Sequence, residues 1–153
     1  MKRINVALGL AVLSLLIGGQ ASAAELLAPA DKQHPNLTLS SSEQHRNLYV
    51  AAGNLTINSN ILGDLYAVGG MVNVTGTVEQ DLDVAGGNLN VGGAVGGDAR
   101  IAGGNIVINS AIKGDLLVAG GNISISEKAL VGGDLVSAGG NILIDSPITG
   151  NVR

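Results

Sequence analysis

Aspartate returns along this chain at Asp64, Asp81, Asp98, Asp115 and Asp134, at intervals of 17, 17, 17 and 19 residues. A fixed short period is the strongest constraint a sequence can place on its fold, because each unit must adopt the same small structure and lean on its neighbours. Numbering a unit from its aspartate, six full copies cover residues 47–150, with Asn47 at the first position 1 and Asn151 restarting the register. Apolar residues recur at positions 2, 4, 9, 11 and 15. Position 9 holds Leu55, Val72, Leu89, Ile106, Ile123 and Ile142, and position 11 holds Ile57, Val74, Val91, Ile108, Ile125 and Ile144. Alternation at 2/4 and 9/11 is the period-2 signature of strands with one buried face, and the β-branched residues suit strands.

A unit of this size cannot bury its own apolar face. Stacking units so that each strand pairs with its copy in the next coil buries every column at once. The predicted fold is therefore all-β, a parallel β-solenoid of triangular section with about 17 residues per coil; six coils at about 4.8 Å each rise about 29 Å. The 19-residue copy, 115–133, carries its extra residues around Glu127-Lys128-Ala129, predicting an insertion at one turn with the strands on either side in register.

Composition fits this. The chain has 24 Gly in 153 residues, yet 46% of residues are hydrophobic and 13% charged, which excludes a disordered low-complexity segment. The Gly-Gly pairs between strands are expected to supply the positive φ of tight corners. With no Cys, Trp or Phe the core is aliphatic, and disulfides and thiolate metal sites are excluded.

The ends differ from the repeats. Met1-Lys2-Arg3, the apolar run Val6–Ile17 and Ala21-Ser22-Ala23 read as a secretory signal peptide over 1–23, cleaved after Ala23. This predicts export to the periplasm or cell surface. Its removal would leave 6 basic and 12 acidic residues, a balance that argues against a nucleic-acid partner. Residues 24–35, with Pro29 and Pro35, read as a linker. Residues 36–46 read as a capping half-coil, because Asn36-Leu37-Thr38-Leu39 repeats Asn54-Leu55-Thr56-Ile57, and Ser42, Glu43 and Gln44 stand where an apolar position 15 is due. Asn151-Val152-Arg153 opens a seventh coil, so 47–153 forms the solenoid. Either that end recruits another chain or the natural chain continues, since unpaired strand edges recruit partners.

The units Gly63-Asp64-Leu65-Tyr66-Ala67-Val68-Gly69-Gly70 and Gly114-Asp115-Leu116-Leu117-Val118-Ala119-Gly120-Gly121-Asn122 resemble the GD-L-x-A-A-GG-x-V-x-I units of bactofilin-related, polymer-forming cytoskeletal proteins. The resemblance covers 47–153, and 36–46 less closely. It implies a right-handed β-helix that polymerises end to end without nucleotide and acts as a scaffold in cell shape or envelope organisation. Typical members lack a signal peptide, so the export signal here shifts the expected place of action to the envelope.

Chemistry-bearing residues are few. His34 and His45 are the only histidines, and both precede the full coils, so no nucleophile–base arrangement is defined. Hexapeptide acyltransferases carry a catalytic His on the solenoid, and 17 is not a multiple of six. β-Helical lyases need acids beside a basic catalyst, and Arg100 is the only Arg in the six units. The expected protein is non-enzymatic, with no cofactor and no small-molecule substrate.

The aspartate column Asp64, Asp81, Asp98, Asp115 and Asp134 admits two accounts: a row of weak Ca2+ sites, or turn carboxylates that accept backbone N–H bonds. The nine-residue pattern of calcium β-rolls is missing, which favours the second. Asn54, Asn88, Asn105, Asn122 and Asn141 at position 8, interrupted by Met71, should form an amide ladder. At outward position 3, Tyr49 stacks on Tyr66 and Asp83 pairs with Arg100, before Leu117 and Val136 turn the column apolar. Position 10 likewise ends at Leu143. The expected self-association residues are therefore Leu117, Leu135, Val136, Ile142, Leu143, Ile144, Ile148 and Val152. The expected partner is a second copy of the chain, in an end-to-end homopolymer, with an envelope or membrane component as a further partner. The alternative is a monomeric surface adhesin or glycan-binding solenoid using the Tyr49/Tyr66 face.

Overall fold

The computed structural model describes residues 24–28 and 36–153, and every regular element among them is a β-strand. The signal peptide expected over 1–23 and most of the expected linker lie outside the described residues. The strands are β1 (Ala24–Leu27), β2 (Asn36–Leu39), β3 (Gln44–His45), β4 (Asn47–Ile57), β5 (Asn60–Ile61), β6 (Leu65–Val74), β7 (Leu82–Val91), β8 (Ala99–Ile108), β9 (Ala111–Ile112), β10 (Leu116–Ile125), β11 (Leu130–Val131) and β12 (Leu135–Ile144).

All pairings are parallel, and like positions pair with like: Leu65 with Leu82, Val72 with Leu89, Ile108 with Ile125. The chain is a β-solenoid. Each long strand bends midway, where the inward phase slips between positions 4 and 9, so one coil presents two faces from one strand. A third face is made by position 15, where Ile61, Val78, Val95 and Ile112 bridge in sequence and Val131 bridges Ile148. The five inward positions stack into one continuous aliphatic core from Leu39 to Leu135. The insertion at 126–129 forms a turn closed by the Ala129 N–H donating to Ser126 O at 2.9 Å, and the flanking strands keep register.

Three expectations need correction. First, the glycines at 63–150 have no left-handed φ; all but Gly92 are required by close approach to the coil beneath. A Cβ on Gly120 would lie 2.7 Å from Gly103 O and 2.9 Å from Ile106 Cδ1, closer than a Cβ can come to either atom. Second, the expected linker over 24–35 contains β1, which pairs with β4 in register Ala24 to Asn47 through Leu27 to Val50. With β2 on β4 and β3 on β5, the first coil has all three faces rather than half. Third, its position 15 is filled by His45, paired with Ile61, and not by Ser42, Glu43 or Gln44.

The burial pattern also adds a sixth inward column that apolarity does not mark. Position 13 holds Ser59, Gly76, Gly93, Ser110 and Ala129, all buried. A Cβ on Gly76 or Gly93 would strike the carbonyl of the preceding coil, so only the smallest residues fit this corner.

Candidate self-association ends and the carboxylate ladder

Position 1 lies at a corner where the chain enters β4, β6, β7, β8, β10 and β12. At each step the side-chain Oδ1 accepts the backbone N–H of the position-1 residue one coil later. Asn47 accepts from Asp64 at 3.1 Å, Asp64 from Asp81 at 3.2 Å, and Asp81 from Asp98 at 2.9 Å. Asp98 accepts from Asp115 at 2.9 Å, Asp115 from Asp134 at 2.8 Å, and Asp134 from Asn151 at 2.8 Å. The aspartates are thus committed to the joint between coils. The preceding glycine follows from the same geometry, since a Cβ on Gly97, Gly114, Gly133 or Gly150 would collide with the Asp Oδ1 beneath it. Gln80 is the exception. Its N–H···O=C bond to Gly63 stretches to 3.3 Å, and the neighbouring Asp81–Asp64 bond is the longest of the ladder.

Stacked carboxylates repel, and two cations, Arg100 and Arg153, lie beside them. Arg100 lies 3.5 Å from Asp98, 3.6 Å from Asp81 and 3.8 Å from Asp83, so it serves three carboxylates rather than the single Asp83 partner the column predicts. Burial raises the Asp83 pKa, and Arg100 opposes that rise. Asp134 is held below the usual carboxylate value chiefly by the Asn151 backbone N–H, with Arg153 3.7 Å away adding to the effect. Among the described residues no group of three or more His, Asp or Glu side chains is arranged to hold a metal ion.

Tyr49 and Tyr66 stack with ring centroids 4.5 Å apart and planes within 2°. Burial, followed by the nearby Asp64, raises the Tyr66 pKa. At position 8 the amide ladder runs one way, each Nδ2 donating to the Oδ1 one coil earlier: Asn54 to Asn36, Asn105 to Asn88, Asn122 to Asn105 and Asn141 to Asn122, all at 2.7–2.8 Å.

The two ends of the solenoid are chemically opposite. At the first coil, Glu25 takes inward position 2 over Leu48, and His45 takes inward position 15 over Ile61. They are bonded to each other, His45 Nδ1 to Glu25 Oε2 at 2.6 Å, while His45 Nε2 lies 3.9 Å from Glu43 and has no hydrogen-bond partner. A polar pair therefore covers this end of the core.

At the last coil the inward residues stay apolar and lose their cover. Ile142 is 39% exposed where Ile123, one coil earlier, is 3%. Ile144 and Ile148 are half-buried, while Leu135 is sealed by Val152, which bridges to it. Leu117, Val136, Leu143 and Val152 are exposed, so seven of the eight residues singled out for self-association are at least partly exposed around this end, and Leu135 is core. The sequence reading missed Glu25 and His45; the signal was the pair of extra residues between Leu39 and His45, the same lengthening that separates Ile125 from Val131. Comparison with family models, with curated proteins and with solved structures returns no match.

Proposed function

We propose that this is a non-enzymatic structural protein of the bacterial cell envelope, exported by its N-terminal signal and assembled into polymers through the solenoid ends. The observation that carries this reading is the apolar surface of the last coils, where Leu117, Val136 and Leu143 stand exposed at outward positions of the stacked strands. A strand edge with apolar residues beside it is a template for another strand. The β-solenoid repeat and its resemblance to polymer-forming scaffolds point the same way. The one-way amide ladder adds direction: it ends in a donor at Asn36 and an acceptor at Asn141, which match in head-to-tail stacking.

The test is sedimentation and electron microscopy of the purified protein over a concentration series. Concentration-dependent filaments are expected, and Ile144→Lys should abolish them by placing a charge in the joint while leaving interior coils folded. A strictly monomeric protein at high concentration refutes the reading. The parallel Tyr49–Tyr66 stack favours one competitor, a monomeric glycan-binding solenoid, which would show glycan binding lost in Tyr49→Ala/Tyr66→Ala without any assembly.

A further inference from the structure

Charge is spread unevenly around the coil. The face carrying positions 1–4 bears the aspartate ladder with Asp83 and Arg100, and the third face bears Glu79, Lys113, Glu127 and Lys128. Between them, positions 5–12 contain no Asp, Glu, Lys or Arg in residues 51–58, 68–75, 85–92, 102–109 or 119–126. In the last coil, 138–145, only Asp145 at the margin is charged. In a chain with 12 acidic residues and a net charge of −4, these columns make a long surface without charged side chains except at that margin.

The outward residues of that face form two ridges. One is the amide ladder at position 8. The other, at position 10, includes Asn90, Val107, Ser124 and Leu143, with Asn90 donating to Asn73 at 2.7 Å. Shallow grooves run between the ridges, one bounded by Asn105, Asn122 and Asn141 against Val107, Ser124 and Leu143. A second lies between Asn88 and Asn90 and extends to Met71 and Asn73.

We infer that this face is a lateral contact with a second copy of the chain, the ridges of one solenoid seated in the grooves of the other. Three arguments select that occupant. Any other pair of faces brings aspartates or mixed charges together and must desolvate them, whereas uncharged amides and hydroxyls lose far less on leaving water. The face also matches itself: ridges two residues apart are separated by about 7 Å and repeat every 4.8 Å or so, the lattice on which paired sheets with Asn ladders interdigitate. Finally, seven stacked strands and four residue steps give a face of about 34 by 14 Å, which buries about 1,000 Å2 in total between two copies, at the lower bound for a specific interface. The contact is therefore weak alone and strengthened once ends have joined, by effective concentration.

This lateral contact goes beyond the end contact and is separable from it. Val107→Lys/Ser124→Lys places two adjacent cations per copy on the second ridge, outside the amide ladder and outside the core. In the Ile144→Lys background, with filaments removed, sedimentation velocity should still show a monomer–dimer equilibrium. Adding the double-lysine change should weaken that equilibrium at least tenfold with the β-sheet circular dichroism retained, while Glu79→Lys on the third face should leave it as it was. Dimers that persist unchanged in the double-lysine variant, or Ile144→Lys protein that is monomeric throughout, overturn the lateral contact and leave the end contact standing. A wild-type protein without any association overturns both. Loss of binding to an insoluble neutral polysaccharide, with self-association intact, would reassign the face to a glycan and overturn the inference.

Discussion

Asp98→Ala and Asp98→Asn separate the two chemistries that a stacked carboxylate can serve. Asp98 Oδ1 accepts the Asp115 N–H at 2.9 Å, and its other oxygen lies 3.5 Å from Arg100. Alanine removes the acceptor. A hydrogen bond to a charged group is worth about 1.5–3 kcal/mol, and this one is exposed, so water recovers part of the loss. Deleting one of several like charges spaced about 4.8 Å along the ladder returns a little more. The net destabilisation expected for alanine is about 1–1.5 kcal/mol. Asparagine keeps the acceptor, and the column already contains the control, because Asn47 Oδ1 accepts the Asp64 N–H at 3.1 Å. Asp98→Asn should therefore cost about 0.5 kcal/mol or less, most of it the lost Arg100 pairing. For a chain of this length about 1 kcal/mol moves the midpoint by 2–4 °C, so thermal melts followed by circular dichroism resolve the two variants. The calcium account predicts otherwise, since asparagine and alanine both remove a ligand charge. Equal losses in the two variants, matched by an equal fall in the wild type on adding EDTA, would refute the hydrogen-bond ladder.

Gly114→Ala should destabilise by about 1–2 kcal/mol, within the range for overpacking, because its Cβ meets Asp98 Oδ1 and the Gly97 backbone. The relaxed bonds around Gln80 show that the joint yields by a few tenths of an ångström, which keeps the cost from rising further; urea midpoints check it. Asp134 has a lowered folded-state pKa, so its stabilising contribution is complete above the ordinary carboxylate value and is lost as pH falls through the folded one. Asp134→Asn should flatten the acid limb of a stability–pH profile between those two values, whereas Asp83, raised by burial, has the opposite sign and steepens no loss on acidification. Glu25→Leu/His45→Ile replaces the polar cap with the residues found in the same columns at Leu48 and Ile61. Assembly at lower concentration, measured by sedimentation, is expected, and an unchanged concentration dependence would show that the cap does not restrain association.

The stacked columns were legible because each is written six times. A single departure such as Ala99 at position 2 cannot shift a register that Leu48, Leu65, Leu82, Leu116 and Leu135 all fix. What was not legible depended on distances between coils rather than on the order of residues within one. Glycine frequency suggested turns, but the reason for Gly114 is an oxygen belonging to Asp98, and the reason for Gly76 is a carbonyl of Ser59. Position 13 was overlooked because small buried residues such as Ser59 and Ser110 carry no hydropathic mark. Only half of the first coil was legible, because it is written once and irregularly. Leu27 and Asn36 are nine residues apart where Val50 and Asn54 are four, and Leu39 and His45 are six apart where Ile57 and Ile61 are four, so strict spacing from Leu39 places Glu43, not His45, in the core column.

In a quasi-one-dimensional array each coil interacts with its neighbours alone, so the interior residues fix stability and the end residues fix what the array does next. The departures from the repeat are therefore the informative residues. At the first coil polarity moves inward, with Glu25 and His45 set in apolar columns. At the last coils apolarity moves outward, with Leu117 and Val136 at position 3, where earlier coils place Tyr, Asp or Arg, and Leu143 at position 10, where earlier coils place Thr, Asn, Val or Ser. Substitutions at these sites should alter association more than melting, because they lie at the ends or on the outside of the stack. The same substitutions made at Ile57 or Ile108, both fully buried, should do the reverse. That crossed dependence is the signature of an assembly whose joints are encoded apart from its fold.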